Sequence, residues 1–424
     1  MTTNRDLPRE LNRALRNSLA LVLAGGRGSR LKELTNHQSK PAIPFAAKFR
    51  IVDFPLSNCV NSGIRRIAVL TQYKAHSLIQ HVQRAWGFLR GEMNEFVELW
   101  PAQQQMSDRW YQGTADACYQ NLGIIQQHDP DYVLVLAGDH VYKQDYAAML
   151  GEHLERDADV TVACVEVPRD QATQFGVVEV DEHDRITGFL EKPADPPAIP
   201  DRPDRAFASM GIYVFNAQFL VQQLQRDAED PESSHDFGKD MIPYLVGKAS
   251  LYAHRFSKSA VNRREDQEPY WRDVGTLDAY WAANLDLTSV VPDLDLYDHD
   301  WPVWTYQRQL PAAKFVFDDE QRRGMAVDSV LSAGCVVSGG VVRRSLMFSN
   351  VRVNSYTVVE DSVLLSNSDV GRHARLHKTI VDENVQIPEG LVVGEDPEAD
   401  ARRFRRTENG VVLITQEMID ALGT

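Results

Sequence analysis

A glycine-rich run with interleaved cations, Gly25-Gly26-Arg27-Gly28-Ser29-Arg30, is the first stretch of the chain suited to chemistry. Glycines let backbone N–H groups converge on an anion, and arginine forks match phosphate oxygens. Lys40, in Lys40-Pro41-Ala42, follows ten residues after Arg30 and adds another cation for a polyphosphate. Gly138-Asp139-His140 offers a carboxylate suited to a hard cation such as Mg2+; His140 reads as a packed neighbour, because Mg2+ prefers oxygen. Glu191-Lys192-Pro193 sets an acceptor for sugar hydroxyls beside a cation for a phosphate, and Tyr270-Trp271-Arg272-Asp273-Val274-Gly275-Thr276 supplies a second carboxylate. Each has a plainer reading when taken singly: a tight Gly turn, a strand-ending Gly-Asp turn, an exposed charged pair before proline, a capped turn. Leu31 stands at the last glycine of G-x-G-x-x-G, and G-x-x-x-x-G-K-[ST] also fails, so neither a dinucleotide fold nor a P-loop is supported.

The elements that must position these residues are legible as α/β. Ser18–Ala24 is an apolar run ending in Gly25-Gly26, which reads as a buried strand followed by a loop. Arg66–Thr71, Tyr132–Ala137, Val160–Val167, Gly176–Val180 and Ser209–Phe215 read as further strands, and Ala75–Trp86 as a helix. Strands interleaved with helices predict a mostly parallel mixed sheet, whose ligands gather at the carboxyl ends of the strands. Gly25-Gly26 and Gly138-Asp139 both stand at such ends. Pro193–Pro203 reads as a surface loop. From Ala326 aliphatic residues recur about every six positions: Val330 and Val336; Leu364, Val370 and Leu376; Val385 and Leu391. That period favours a C-terminal left-handed parallel β-helix over a Val-rich sandwich, with breaks near Val341–Val353 and Thr379–Val385. The expected organisation is an arm over 1–17, an α/β domain over 18–290, a linker over 291–325 and the β-helix with its tail over 326–424.

Composition narrows the function classes. The 424 residues suffice for two or three domains, and a 43% hydrophobic share is that of a globular chain. Sixty acidic against 45 basic residues leave a net charge of −15, which disfavours nucleic acid and anionic lipid as partners. No apolar stretch approaches the roughly 18–20 residues of a membrane span, and no signal-peptide core is present. Asp6 and Glu10, among Arg5, Arg9, Arg13 and Arg16, speak against a transit peptide. Cys59, Cys118, Cys164 and Cys335 form no C-x-x-C pair, so reduced thiols and a cytoplasmic location are expected.

Several longer motifs stand in one order: the glycine run through Leu31, Lys40-Pro41-Ala42, Trp110-Tyr111-Gln112-Gly113-Thr114-Ala115-Asp116-Ala117, Gly138-Asp139-His140, Glu191-Lys192-Pro193 and Trp271–Thr276. That order resembles the nucleotide-sugar pyrophosphorylases. Arg50-Ile51-Val52-Asp53-Phe54-Pro55-Leu56-Ser57-Asn58, Ser233-Ser234-His235-Asp236-Phe237-Gly238-Lys239-Asp240 and the tail from Gly394-Glu395-Asp396-Pro397 through Phe404 narrow the resemblance to the bacterial glucose-1-phosphate adenylyltransferases. The resemblance covers nearly the whole chain. It implies a Rossmann-like nucleotidyltransferase domain followed by the β-helix, with ATP, glucose 1-phosphate and Mg2+ as partners. It further implies that Arg30 and Lys40 neutralise the triphosphate while Gly25, Gly26, Arg27 and Gly28 cradle it. Asp139 and Asp273 would hold Mg2+; Tyr111, Gly176, Glu191, Lys192 and Ser209 would meet the sugar phosphate. Gln72 and Gly113 would lie near the nucleotide, and Gln72 and Trp110 would couple substrate and effector sites.

The same resemblance implies anionic sugar-phosphate activators, AMP as inhibitor and a homotetramer. Lys48, Arg50, Arg372, Arg375 and Lys378 are the effector candidates. His37, Gln38, Gln416 and Asp420 stand where relatives activated by fructose 1,6-bisphosphate carry basic residues, which weakens the case for that bisphosphate. Two other readings stay open: a UTP-using or bifunctional relative, and a regulatory subunit without catalysis. The charged set Arg30, Lys40, Asp139, Lys192 and Asp273 argues against the subunit.

Overall fold

The protein is described by a computed structural model over residues 7–26, 28–102, 111–261, 267–319 and 322–423. Its contacts divide the chain into two units. The first runs up to Gly26, then takes Phe54–Trp271 and Asp298–Trp304; the second takes Arg27–Asp53, Arg272–Tyr297 and Thr305–Thr424.

Unbroken apolar runs make the middle of the first unit's sheet, because strands covered on both faces need no polar alternation. Its nine strands are β1 (Ser18–Leu23), β2 (Arg66–Thr71), β3 (Phe96–Pro101), β4 (Tyr132–Ala137), β5 (Val160–Pro168), β6 (Gly176–Val180), β7 (Ile186–Glu191), β8 (Arg205–Asn216) and β9 (Leu251–Arg255). The order is β7-β6-β8-β4-β1-β2-β3, with β5 beside β8 and β9 beside β5. Strands β4, β1, β2 and β3 run parallel, in registers Leu23↔Ala137 and Leu23↔Leu70. The β8 pairings with β4, β5 and β6 are antiparallel, which makes the sheet mixed. Leu21, Ala68, Val133, Val135 and Phe215 share one buried cluster on it. Helix His76–Ala85 matches the expected one to within a residue at each end. The register of β8 shifts between Ser209 and Tyr213, where Gly211 takes φ 67°. The left-handed region there favours glycine.

Helix Leu7–Asn17 precedes β1, with Ala14 buried. Residues 298–304 form a strap along the helix face that presents Ser57, Asn58 and Asn61. Trp304 N donates to Ser57 Oγ at 2.8 Å, Trp301 Nε1 to Asn58 Oδ1 at 3.1 Å, and Asn61 Nδ2 to the Pro302 carbonyl at 2.9 Å. The four cysteines are buried and free, and no helix among the described residues is long and apolar enough to cross a membrane.

The second unit is dominated by stacked coils from Lys314 to Ile414, whose short strands form three parallel sheets. This is the architecture expected of the β-helix. In one sheet Val341, Val358, Arg375 and Val392 stand in register, so a coil takes 17 residues. Three hexads would take about 18, so these coils drop one residue and the first, from Val330 to Leu346, drops two, which accounts for the breaks in the six-residue spacing. Turns are built from Asn350, Asn367 and Asn384 at φ 63–65°, whose side chains bond in a ladder at 3.2 and 3.1 Å. Val337 rather than Val336 is buried, together with Leu364, Val370, Leu376 and Val385.

Helix Leu277–Asp286 joins the coils to segment Arg27–Asp53 within this unit. Its start is capped by Thr276 Oγ1, which accepts from Ala279 N. Tyr280 Oη donates to the Pro44 carbonyl at 2.7 Å, Ala46 N to Asn284 Oδ1 at 2.9 Å, and Trp281 Nε1 to the Asp361 carbonyl at 2.7 Å.

Candidate functional site

In the first unit the carboxyl ends of three adjacent parallel strands converge. Ala24 N donates to the Leu70 carbonyl at 2.9 Å and Gly138 N to the Leu23 carbonyl at 3.0 Å, which ties the loops after β1, β2 and β4 together. A Cβ on Gly25 would lie 3.2 Å from Gln72 Cβ, and one on Gly138 would lie 2.8 Å from the Leu23 carbonyl oxygen. Close backbone approach therefore requires glycine at 138, while Gly25 packs tightly against the Gln72 side chain. Gly26 has open space, so packing leaves its backbone free to face a ligand. Gln72 Nε2 donates to the Tyr111 carbonyl at 3.3 Å, and Tyr111 Oη accepts from Asn121 Nδ2 at 3.0 Å. Burial pushes the Tyr111 phenol above its ordinary range.

Asp139 Oδ1 lies 3.6 Å from His140 Nε2. His140 packs edge-on against Trp271, with ring centroids 5.0 Å apart. Trp271 in turn meets Phe175 at 5.6 Å, and the Phe175 carbonyl accepts from Lys192 N at 3.0 Å. Gly176 pairs with Glu191 across β6 and β7, and its missing Cβ would stand 3.2 Å from Glu191 Oε2. Lys192 Nζ reaches Glu191 Oε1 at 3.0 Å. The aromatic run His140–Trp271–Phe175 thus connects the loop of Asp139 to the strand pair that carries Gly176, Glu191 and Lys192. Ser209 borders the β8 bulge, and its hydroxyl bonds to Tyr213, whose phenol is pushed up by burial.

Two groups in this unit were quoted from the sequence without a role. A Cβ on Gly113 would lie 2.2 Å from the His235 carbonyl oxygen, so the Gly113 backbone lies directly on the Ser233–Asp240 motif. Thr114 Oγ1 donates to Asp236 Oδ2 at 3.0 Å, and Ala115 N donates to the His235 carbonyl at 2.8 Å. Asp236 Oδ1 also accepts from Gly238 N and Lys239 N. Asp236 and Trp271 therefore hold the loops that carry Tyr111 and Asp139. Their signal was a charged or aromatic residue inside a long motif; their partners lie too far along the chain to be inferred. Arg27 and Trp110 lie outside the described residues.

The second unit holds the remaining charged residues. Lys40 Nζ donates to Asp273 Oδ1 at 2.5 Å, and Arg30 Nη2 to Asp273 Oδ2 at 3.2 Å. One carboxylate is bridged by two cations. The Lys40 side chain is 4% exposed and that of Arg30 64%, so one is built in and the other reaches into solvent. Gly28, at φ 60°, sits over the lysine stem, where a Cβ would come 2.9 Å from Lys40 Cβ. Gly275 makes room for the trio: its Cβ would be 2.8 Å from both Arg30 Nη2 and Asp273 Oδ1.

The effector candidates are also in this unit, each with its own surroundings. Arg50 donates to the Ala42 carbonyl and, at 3.2 Å, to Gln38 Oε1, and burial lowers its pKa. Its backbone N and Thr305 Oγ1 both donate to Asp53 Oδ2. Arg375 pairs with Glu395 at 2.8 Å, while Lys378 donates to the Asn409 carbonyl at 2.7 Å and lies over the Trp281 ring. Lys48 is exposed beside the Phe49 ring, and Arg372 is exposed on a coil turn. His37 Nε2 lies 3.9 Å from Glu417 Oε1, and Gln416 Nε2 donates to Asp420 Oδ1 at 2.7 Å.

Residues 19–290 match the nucleotidyl transferase family, and residues 311–414 the GlmU-like C-terminal hexapeptide family. The chain is 64% identical to a glucose-1-phosphate adenylyltransferase of Rhodospirillum rubrum, over 97% of this chain and 98% of that one. It is 64% identical to the enzyme of that name from Paramagnetospirillum magneticum, over 98% and 97%. A third, from Methylobacillus flagellatus, is 61% identical over 95% and 94%.

Proposed function

The chain belongs to the nucleotidyl transferase family, among its glucose-1-phosphate adenylyltransferases, and we propose that it converts ATP and α-D-glucose 1-phosphate into ADP-glucose and pyrophosphate. The observation that carries this reading is the Arg30–Asp273–Lys40 trio, with Gly28 packed on the lysine stem and Gly275 against the Arg30–Asp273 pair. Such preset charge suits a reaction in which negative charge moves between phosphates.

An oxygen of the sugar phosphate attacks the α-phosphorus of ATP while pyrophosphate departs on the opposite side. The attacking phosphate has a second pKa of about 6, so it is largely ionised at neutral pH and needs no general base. Catalysis then rests on alignment and charge neutralisation. Lys40 and Arg30 take the triphosphate and the leaving pyrophosphate, and the amides of Gly25, Gly26 and Gly28 cradle it. Lys192 holds the sugar phosphate and Glu191 the glucose hydroxyls, with Tyr111, Gly176 and Ser209 shaping that side. Gln72 and Gly113 border the nucleotide.

Members of this family generally use a divalent metal. The carboxylates of Asp139 and Asp273 are the hard oxygen donors that Mg2+ prefers, and they would hold it. When bound, the metal would neutralise phosphate charge. Anionic metabolites would regulate the enzyme at Lys48, Arg50, Arg372, Arg375 and Lys378, a sugar phosphate activating and AMP inhibiting. The coils would serve assembly of a cytoplasmic homotetramer. Asp139→Asn tests the metal assignment. A folded variant should lose at least about 10²-fold in pyrophosphorolysis. Near-normal turnover would remove Asp139 from the reaction.

A further inference from the structure

The hairpin closing the stacked coils reaches both segments that carry the charged trio. Arg405–Arg406 pairs antiparallel with Val412–Ile414, which extends the sheet of Thr379–Val381. Arg405 donates through Nε at 3.1 Å and Nη2 at 2.8 Å to a single oxygen of Glu33. Glu33 lies three residues beyond Arg30 on the turn Ser29–Thr35. Thr407 Oγ1 donates to Asp278 Oδ1 at 2.8 Å and accepts from Val411 N at 3.1 Å, so the hydroxyl is held on both sides. Asp278 opens the helix that follows Asp273 by a few residues.

The turn bearing Arg30 needs an outside hold. Lys32 within it has φ 54° and ψ −127°, a conformation that a residue with a Cβ keeps only when its surroundings over-determine it. The Arg30 side chain is mostly exposed, so packing does not aim it. Arg405 is itself 51% exposed, and an ion pair so placed adds little to global stability. Its two charge-assisted bonds to Glu33 Oε1 tie the turn to the hairpin instead.

We propose that Arg405 and Thr407 are positioning residues for nucleotidyl transfer: from the C-terminal hairpin they fix the Arg30 turn and the helix start behind Asp273, so that the trio meets the nucleotide phosphates already aligned. This rests on the reaction proposed above. Neither residue bonds to Glu191 or Lys192, the residues proposed for the sugar phosphate, so the effect is expected on the ATP constants alone.

The test compares full-length wild type, Arg405→Ala, Thr407→Val and the charge swap Glu33→Arg with Arg405→Glu. Steady-state constants for each substrate and the Tm are measured. Arg405→Ala should lower kcat/KM for ATP about three- to tenfold, the factor that a single coupled pair supports, with Tm nearly unchanged. KM for glucose 1-phosphate should stay within about twofold, Thr407→Val should shift the same ATP constants in the same direction, and the swap should recover most of the loss. Unchanged ATP constants in Arg405→Ala, equal shifts in both KM values, or a swap no better than Arg405→Ala would overturn the positioning role. A wild type silent with ATP would overturn the reaction itself, and that arm is read first.

Discussion

Replacing Lys40 by methionine keeps the length of the buried stem beneath Gly28 and deletes only the ammonium. Two consequences follow from the geometry. Asp273 loses its 2.5 Å partner while remaining 19% exposed and still facing Arg30, so the carboxylate keeps some hydration. The stability cost should be about 1–2 kcal/mol, below that of a fully buried broken pair. The catalytic cost is larger, because a preset cation aimed at developing phosphate charge contributes about 3–4 kcal/mol, or 10²–10³ in rate. Pyrophosphate release at saturating glucose 1-phosphate, with Tm followed in parallel, separates the two. The expected result is a Tm lowered by a few degrees and kcat/KM for ATP lowered by about two to three orders of magnitude. A folded variant within about threefold of wild type would refute the claim that Lys40 stabilises the transition state.

Gly275→Ala should cost activity more than stability: its Cβ falls 2.8 Å from Arg30 Nη2, which can swing away, and 2.8 Å from Asp273 Oδ1, so kcat/KM for ATP should drop about tenfold or more with Tm lowered by no more than a few degrees. Gly113→Ala should do the reverse, because its Cβ would press at 2.2 Å on the backbone oxygen of His235; a loss of about 2–3 kcal/mol in denaturant unfolding is expected. Asp382 gives a pH-dependent case. Burial raises its carboxyl from 3.8 to about 6, so the folded chain holds a proton that the unfolded chain releases. The cost of ionising it in the fold is absent below pH 4 and complete above pH 6. Asp382→Asn should therefore stabilise by about 1–3 kcal/mol at pH 7.5, and the gain should vanish near pH 4; a gain independent of pH would point to another cause.

The parts of the fold that were legible are those dictated by burial on both faces. Strands β2 and β4 occur at the bounds that their apolar runs suggest, since a buried parallel strand must be largely apolar, and β6 does so too although its pairings are antiparallel and Glu179 is exposed. Strand β3 sets Glu98 between Phe96 and Trp100 on one face at the sheet edge, and β9 carries His254 and Arg255 against carboxylates; neither advertises itself as a core strand. In the coils the period was visible, but the 17-residue step appears only once the registers are known. Glycine and charge marked Arg30, Lys40, Asp139, Glu191, Lys192 and Asp273 as chemistry-bearing residues. That Lys40 and Asp273, 233 residues apart, share a bond depends on the path of the whole chain, as does the Asp236–Thr114 clasp. The effector candidate Arg50 has its guanidinium on the Ala42 carbonyl and Gln38, and its backbone on Asp53, partners that the sequence alone does not show.

The central claim is nucleotidyl transfer from ATP to glucose 1-phosphate. Pyrophosphate release with glucose 1-phosphate and Mg2+, compared across ATP, UTP, GTP and dTTP, tests it most directly. Selective turnover of ATP with ADP-glucose as product is the predicted outcome. Preference for UTP, or no turnover by any nucleotide from a folded protein, would contradict it.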